Sequence, residues 1–406
     1  MIHSEPECVQ EAKPMVATET RCPSCSGEQS TVFYSVSQIP VHSNLMYNTK
    51  ADALHVPKRD LTLAVCPHCG FIFNSSYEAA DANYSPIYED QQCFSSTFND
   101  FSERLISRLI EKHDIHKKTV VEIGCGKGDF LTRLCELGNN IGIGIDPAVA
   151  PQRLAGANDN VTFIQDYYSE HYKDIKGDVF ICRHTLEHIA DTANFLNTIR
   201  LSISDQSALF VVEVPDTRRV LQELAFWDIY YEHCSYFTSG SLARLFRFCR
   251  FEVMDLWMGF QNQYMIIEAM PAKSASAHPF AIEEDVAELL AQVDRFSENI
   301  QTKQDEWQQA LDRYEEQQKK VAIWGGGSKC VAFLTTLDRV EEIGCIVDIN
   351  PHRAGKYLSG LSQKIAAPSA LPSFKPDVVI IMNPIYKQEI TTDLHKMGLS
   401  PHVLCL

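Results

Sequence analysis

The chain has 406 residues, too many for one ordinary core, so two or three domains are expected. Its 45% hydrophobic content is that of a soluble globular protein. The formal net charge is −17, with no basic cluster beyond short ones such as Arg218–Arg219, which argues against nucleic acid as a partner but not against a nucleotide ligand. No apolar run reaches the roughly 18 residues of a membrane span. The opening MIHSEPECVQEAKP also lacks the basic end and apolar stretch of a secretory signal, so a cytoplasmic location without membrane contact is expected.

In chain order, residues 1–20 read as a disordered, polar tail. Residues 21–80 form a unit with two pairs, CPSC (Cys22, Cys25) and CPHCG (Cys66, Cys69). Each Cys-x-x-Cys turn aims two thiolates at one point, and two such turns supply the four soft ligands of a tetrahedral Zn²⁺ site. Four thiolates close the coordination shell, so the zinc would be structural, and a segment this small benefits from such a staple. The alternative is four unligated buried thiols. The other ten cysteines are single, the pattern of reduced thiols in a cytosolic enzyme.

Residues 81–270 begin with an aromatic loop, NYSPIYEDQQCFSSTF, and an amphipathic helix, NDFSERLISRLIEK. Short apolar strands then alternate with helical segments: TVVEIGC, IGIGID, VTFIQ, GDVFICRH, ALFVVEV and MIIEAM. This alternation predicts an α/β fold with a doubly wound sheet. VVEIGCGKGDF (Val120–Phe130) is a strand, then Gly124, Gly126 and Gly128, then a helix start. Glycines admit a ligand close to the backbone, and the helix N-terminus favours it electrostatically. The spacing differs from the dinucleotide G-x-G-x-x-G, and Glu122 stands before the first glycine. Asp146 ends the second strand, where an acid accepts hydrogen bonds from a ribose diol, and Asp166 ends the third, within reach of an adenine edge. Arg183 and His184 fall just past the fourth strand, at the ligand edge of the sheet. His184 and His188 lie four apart on a helix start, but a metal there lacks an obvious further ligand, and capping or packing is the other reading.

Past the fifth strand comes WDIYYEHCSYFT (Trp227–Thr238). A carboxylate beside an imidazole can orient a general base, and a phenol can hydrogen-bond an oxyanion. The competing reading is an aromatic plug with Glu232 and His233 solvated. Residues 271–319 are a linker, PAKSASAHPF, followed by one long helix with room for a single break. Residues 320–406 open on VAIWGGGSKC, a second strand, glycine turn and helix of a Rossmann-like unit. Gly325, Gly326, Gly327, Ser328 and Lys329 could cradle a phosphate or pyrophosphate, without Walker A spacing. Asp348, Asn350, Asn383 and Tyr386 end later strands. The alternative is a unit kept for packing or dimerisation.

The Glu-x-Gly-x-Gly-x-Gly loop and the acids after the second and third strands resemble the class I S-adenosylmethionine-dependent methyltransferases. The resemblance implies that Glu122, Gly124, Gly126, Gly128, Asp146, Asp166, Arg183 and His184 surround the cofactor. The cysteine quartet, TLEHI, IYYEH and the second Rossmann-like unit, in that order, resemble the zinc-containing sugar C-methyltransferases. These methylate C-3 of nucleotide-linked 4-keto-deoxysugars, and the likeness covers nearly the whole chain after residue 20. It implies a base, His233, supported by Glu232, Tyr230 and His188, with Tyr88 before the first helix of the domain and Tyr84 close enough to compete for that place. It also implies a nucleotide-sugar held by the C-terminal unit at Gly325–Lys329 and Asn383. The family's His-Gly-Gly element is replaced here by FQNQYMIIEA (Phe260–Ala269), which leaves the sugar and the methylated atom open. The other readings are an O- or N-methyltransferase of a small metabolite and a non-catalytic binding protein. A monomer or homodimer is expected.

Overall fold

The computed structural model describes residues 16–18, 20–81, 83–150, 159–203, 207–272, 278–337, 339 and 343–406. Most of the expected N-terminal tail and residues 273–277 of the expected linker lie outside them. Within the expected tail, however, Val16–Thr18 is a strand paired antiparallel with Ser30–Val32. Among the described residues no helix is long and apolar enough to cross a membrane.

The N-terminal module is an antiparallel sheet. Ser30–Pro40 pairs with Lys58–Val65, which pairs with Ile72–Asn74. Its next strand comes from far along the chain: Ser235–Tyr236 pairs with Phe73 and Ile72. The expected aromatic stretch therefore completes the sheet that carries the cysteines.

The central sheet has seven strands, running third, second, first, fourth, fifth, seventh, sixth in chain order. The first five, Thr119–Ile123, Ile141–Ile145, Val161–Ile164, Val179–Arg183 and Leu209–Pro215, are parallel. Their middle members are buried on both faces, as an apolar run covered by helices on each side must be. Tyr264–Pro271 inserts antiparallel beside the fifth strand, and Phe251–Gly259 closes that edge. The C-terminal sheet repeats the first five strands' order on a smaller scale, all parallel: Ile365–Ala366, Cys345–Val347, Val321–Trp324, Val378–Ile381 and His402–Cys405.

One unbroken helix, Val286–Glu316, joins the units. The Asp285 side chain caps it by accepting the Glu288 N–H, and no glycine or proline interrupts it. Leu289, Val293, Phe296 and Ile300 recur at helical spacing and are buried. Phe296 meets the edges of Phe33 and Tyr34 at 5.9 and 5.6 Å in the N-terminal module. Further along, Trp307 packs against Phe333 of the C-terminal unit at 5.1 Å. The helix thus ties the first module to the last. Phe296→Ala should cost about 3–5 kcal/mol of stability in a denaturant titration, and a loss within 1 kcal/mol, about the cost of a minor repacking, would show that the strut is dispensable.

Candidate active site

The loops at the carboxyl ends of both parallel sheets enclose one cavity of about 1000 Å³. Its lining includes Tyr84, Tyr88, Glu122, Gly124, Gly126, Asp146, Arg183, His184, His188, Tyr230, His233, Gly325, Gly327, Ser328, Lys329 and Asn383. Among the sequence-derived candidates, Gly128, Asp166, Glu232 and Gly326 do not line it.

At one end stands the glycine loop. Gly124, Gly126 and Gly128 have φ of +73°, +56° and +83°, the left-handed region where a side chain is strained. A Cβ on Gly126 would meet only Asp90, at 3.8 Å, so the backbone there faces open space into which a ligand can come close. Asp146 braces the loop: its Oδ2 accepts the Gly126 N–H at 2.8 Å and its Oδ1 the Ala148 N–H at 2.6 Å. Beneath the loop lies a buried charge cluster. Arg183 donates to Glu213 at 2.7 Å and its guanidinium lies 4.0 Å over the Phe130 ring. His184 pairs with Glu213 at 2.9 Å, and although burial opposes its charge, Glu213 and Glu187 raise it to about 9. Burial pushes Glu122 up to about 7 against the pull of Arg183. Among the described residues, Glu122 Oε2, Glu187 Oε2 and Arg183 Nη2 are buried without a hydrogen-bond partner. Unpaired carboxylate oxygens beside an open glycine loop fit a cationic ligand that also carries hydrogen-bonding groups.

Asp166 sits elsewhere. It is exposed, and Tyr172 donates to it at 2.5 Å and the Tyr167 N–H at 2.8 Å. The third strand is the edge of the sheet, so its end opens onto solvent, and Tyr167 and Tyr168 take the cavity wall instead.

Mid-cavity, the His233 ring lies 4.7 Å from both His188 and Tyr230. Burial first, and the nearby His188 charge second, lower His233 to about 4 against the carboxylates around it. His188 Nδ1 lies 3.1 Å from the Glu232 carbonyl oxygen and 2.7 Å from Tyr84 Oη. A carbonyl can only accept, so Nδ1 carries the proton and Nε2 is bare in the neutral ring. Tyr84 thus touches His188, while Tyr88 packs edge-on against Tyr84 at 5.1 Å. Glu232 is 1% exposed and lies behind the loop. Burial alone would raise its carboxyl, but His42, the His188 charge and the Ser43 N–H hold it down at about 2. Tyr230 donates to Asp228 at 2.9 Å.

At the far end, Asp228 lies between two cations, Arg219 and Lys329. Lys329 comes from the C-terminal glycine turn, which repeats the device of the first glycine loop. Gly325 N–H bonds Val347 O at 2.9 Å, Gly326 N–H bonds Asp348 Oδ2 at 2.8 Å, and Asn350 N–H bonds Asp348 Oδ1 at 2.8 Å. Here the cleft is closed. Arg353 bonds Gly326 O and Asp348, and a Cβ on Gly327 would strike it at 2.7 Å. Asn383 exchanges a reciprocal amide pair with Gln263 at 2.8 and 2.9 Å, so the second glutamine of FQNQ is used between domains. Gln261 and Asn262 are exposed outside the cavity.

The cysteine quartet forms a separate cluster. All four sulfurs lie within 4.8 Å of one another, with Cys22–Cys69 and Cys25–Cys66 at 3.7 Å.

Residues 95–255 match the methyltransferase domain family, and residues 268–400 match the C-methyltransferase C-terminal domain. The chain is an S-adenosylmethionine-dependent methyltransferase that carries a C-methyltransferase C-terminal domain. A curated relative, the C-methyltransferase NovU of Streptomyces niveus, is 27% identical over 288 residues, 67% of each chain. Two solved structures resemble part of the chain. The 1,6-didemethyltoxoflavin-N1-methyltransferase of Burkholderia thailandensis is 17% identical over 44% of this chain and 82% of its own, with TM-score 0.35. The magnesium protoporphyrin IX methyltransferase of Synechocystis is 14% identical over 46% and 91%, with TM-score 0.36.

Sequence reasoning on the methyltransferase passed over His42, Arg219, Asp228 and Arg353. His42, Asp228 and Arg353 act through partners far along the chain, and Arg219 through an acid nine residues on, across a turn that no regular spacing announces. Asp146→Ala removes both acceptors that shape the glycine loop. S-adenosylhomocysteine affinity should fall by roughly tenfold or more in calorimetry, since each lost charge-assisted bond is worth about 1.5–3 kcal/mol. Unchanged affinity would mean that the loop holds its shape without the acid.

Proposed function

We propose that the protein methylates a carbon next to the ketone of a nucleotide-linked keto-deoxysugar, with His233 as the base. The observation that carries this reading is the His233 imidazole, held neutral in the same cavity as the open glycine loop and 4.7 Å from a second histidine. A neutral imidazole in a desolvated site can remove a proton from a carbon made acidic by an adjacent carbonyl. Hydroxyl groups need less. The cavity's polar lining in this region, His188, Tyr84, Tyr230 and His233, includes donors for an oxygen that gains negative charge as the proton leaves. Tyr84 is tied to this group, its Oη 2.7 Å from His188 Nδ1. S-adenosylmethionine supplies an electrophilic methyl for the carbon so activated, and the loop Gly124–Gly128 with Asp146 would hold it.

At the far end, Arg219 and Lys329 offer positive charge to a diphosphate, and the start of helix Ser328–Thr336 adds backbone N–H groups. A cavity of about 1000 Å³ is at the upper end of the range for small-molecule sites and can hold two ligands side by side. Closure of the second glycine cleft by Arg353 supports a C-terminal unit that binds substrate from its rim, with no second cofactor.

Cys22, Cys25, Cys66 and Cys69 are suited to a structural Zn²⁺. Metal–sulfur bonds of about 2.3 Å in a tetrahedron set neighbouring sulfurs roughly 3.8 Å apart, close to the 3.7 Å of two pairs here. A disulfide would need about 2.05 Å. Metal analysis should find one zinc per chain, and Cys66→Ser should release it and destabilise the N-terminal sheet. A zinc-free preparation with an unchanged melting curve would overturn the metal assignment.

His233→Ala should lower turnover by about 10²–10⁴-fold with S-adenosylhomocysteine affinity retained. In wild type, kcat/KM should hold through the ordinary histidine value of 6.5 and fall only as pH approaches about 4, where His233 takes up its proton. With S-adenosylhomocysteine bound, a keto-sugar should exchange the proton next to its ketone with deuterated solvent, and His233→Ala should not support this. Methyl transfer without exchange at any such carbon would favour an oxygen or nitrogen acceptor.

A further inference from the structure

The Glu232 carboxylate is buried beside the reacting end of the cavity, and both of its oxygens are held by consecutive residues of the N-terminal module. His42 Nδ1 lies 3.0 Å from Oε2, and the Ser43 N–H donates to Oε1 at 2.9 Å. His42 does not line the cavity; it is 7% exposed and stands edge-on to Tyr84 at 5.1 Å. Its tautomer follows from its other neighbour. The Asn83 backbone N–H, which can only donate, reaches His42 Nε2 at 3.1 Å. Nε2 is therefore the acceptor, and the proton of the neutral ring is on Nδ1, aimed at Glu232.

The consequence runs along the catalytic loop. The Glu232 carbonyl oxygen accepts the His188 Nδ1 proton at 3.1 Å, and His233 is the next residue in the chain. Where Glu232 sits thus sets His188's tautomer and His233's place. The next residue on the other side, Asn44, donates to Ser328 Oγ at 2.6 Å, at the start of the helix that carries Lys329. Residues 42–44 brace the catalytic loop and the C-terminal unit at once.

We propose that His42 is a positioning residue for methyl transfer, a neutral imidazole that donates its Nδ1 proton to Glu232 and so holds the loop of His188 and His233 in register. This rests on the reading of His233 as the reacting end given above. Removing the ring takes a donor from a buried carboxylate, so the loop should shift to make up for it. Asparagine places its amide N–H where Nδ1 stands; glutamine places it one bond further out.

The test compares His42→Leu, His42→Asn and His42→Gln. His42→Leu should lower kcat on the order of tenfold to a hundredfold, as loss of an orienting partner commonly does, with KM for S-adenosylmethionine and S-adenosylhomocysteine affinity within about twofold, since binding at the glycine loop is untouched. His42→Asn should recover most of the loss and His42→Gln should not. In parallel, ¹⁵N NMR of histidine-labelled wild-type protein, with His42 assigned by its absence in His42→Asn, should show the proton on Nδ1. Wild-type kcat in His42→Leu, equal activity of the asparagine and glutamine variants, or a proton on Nε2 would each overturn the proposal. If His42→Leu fails to fold, the tautomer and the asparagine–glutamine contrast still decide it. Failure of the wild-type enzyme to methylate any keto-sugar would strike the substrate reading alone, because the tautomer is read without substrate.

Discussion

The loop that carries His233, where we place the reacting end of the cavity, depends on one buried carboxylate. Glu232 is 1% exposed, and a carboxylate taken out of water costs several kcal/mol unless its oxygens are bonded. Its partners, His42 and Ser43, lie about 190 residues earlier, in the N-terminal module. The loop that carries it also completes that module's sheet: Ser235 and Tyr236 pair with Phe73 and Ile72, and the Asn74 N–H bonds Cys234 O at 3.0 Å. Cys66 and Cys69 sit at the turn that feeds the Ile72–Asn74 strand. The cysteine cluster is thus a few residues of strand away from the histidines, and Cys66, Cys69, Phe71 and Phe73 share one buried core with Phe180, Val212 and Phe237 of the methyltransferase domain.

The two parallel sheets use the same backbone device for different ends. In each, the first strand ends in a glycine turn whose N–H groups hold the carboxylate that ends the second strand. At Gly124–Gly128 the turn is open, and unpaired Glu122 and Arg183 atoms lie beneath it. At Gly325–Gly327 Arg353 fills the same space, and Asn350 donates to Glu89 at 2.8 Å to seal it. One unit keeps an open cleft, where we place the cofactor; in the other Arg353 fills the cleft, and a helix start and Lys329 face the shared cavity.

What the sequence reveals follows from how local each signal is. The strand alternation, the Glu-x-Gly-x-Gly-x-Gly loop, the Cys-x-x-Cys pairs and the long helix free of glycine and proline are patterns within a few dozen residues, and the sheet order is as a doubly wound fold requires. The helix is unbroken where one break was allowed for, because its buried stripe runs on across two units. Strand order alone suggests Asp166 as a cavity residue; the edge position of its strand and the pull of Tyr172 place it in solvent. Gly326 belongs to a glycine run, yet it faces the sheet, since Asp348 takes its N–H. His42 sits in IPVHSN, a stretch with no spacing signal, and only the folded chain brings it to Glu232. Charged residues whose partners come from another domain, such as Asp228 with Lys329 and Arg353 with the Glu89 carbonyl, are illegible for the same reason.

The account's central claim is that His233 faces a carbon next to a ketone while the glycine loop holds the methyl donor. The most direct measurement is a crystal structure with S-adenosylhomocysteine and a nucleotide-linked 4-keto-deoxysugar bound together. The account predicts an imidazole nitrogen of His233 within about 3.5 Å of that carbon, in near-attack geometry, with the diphosphate at Arg219 and Lys329. A sugar hydroxyl oriented toward the sulfur, with His233 remote from any carbon beside the ketone, would contradict it.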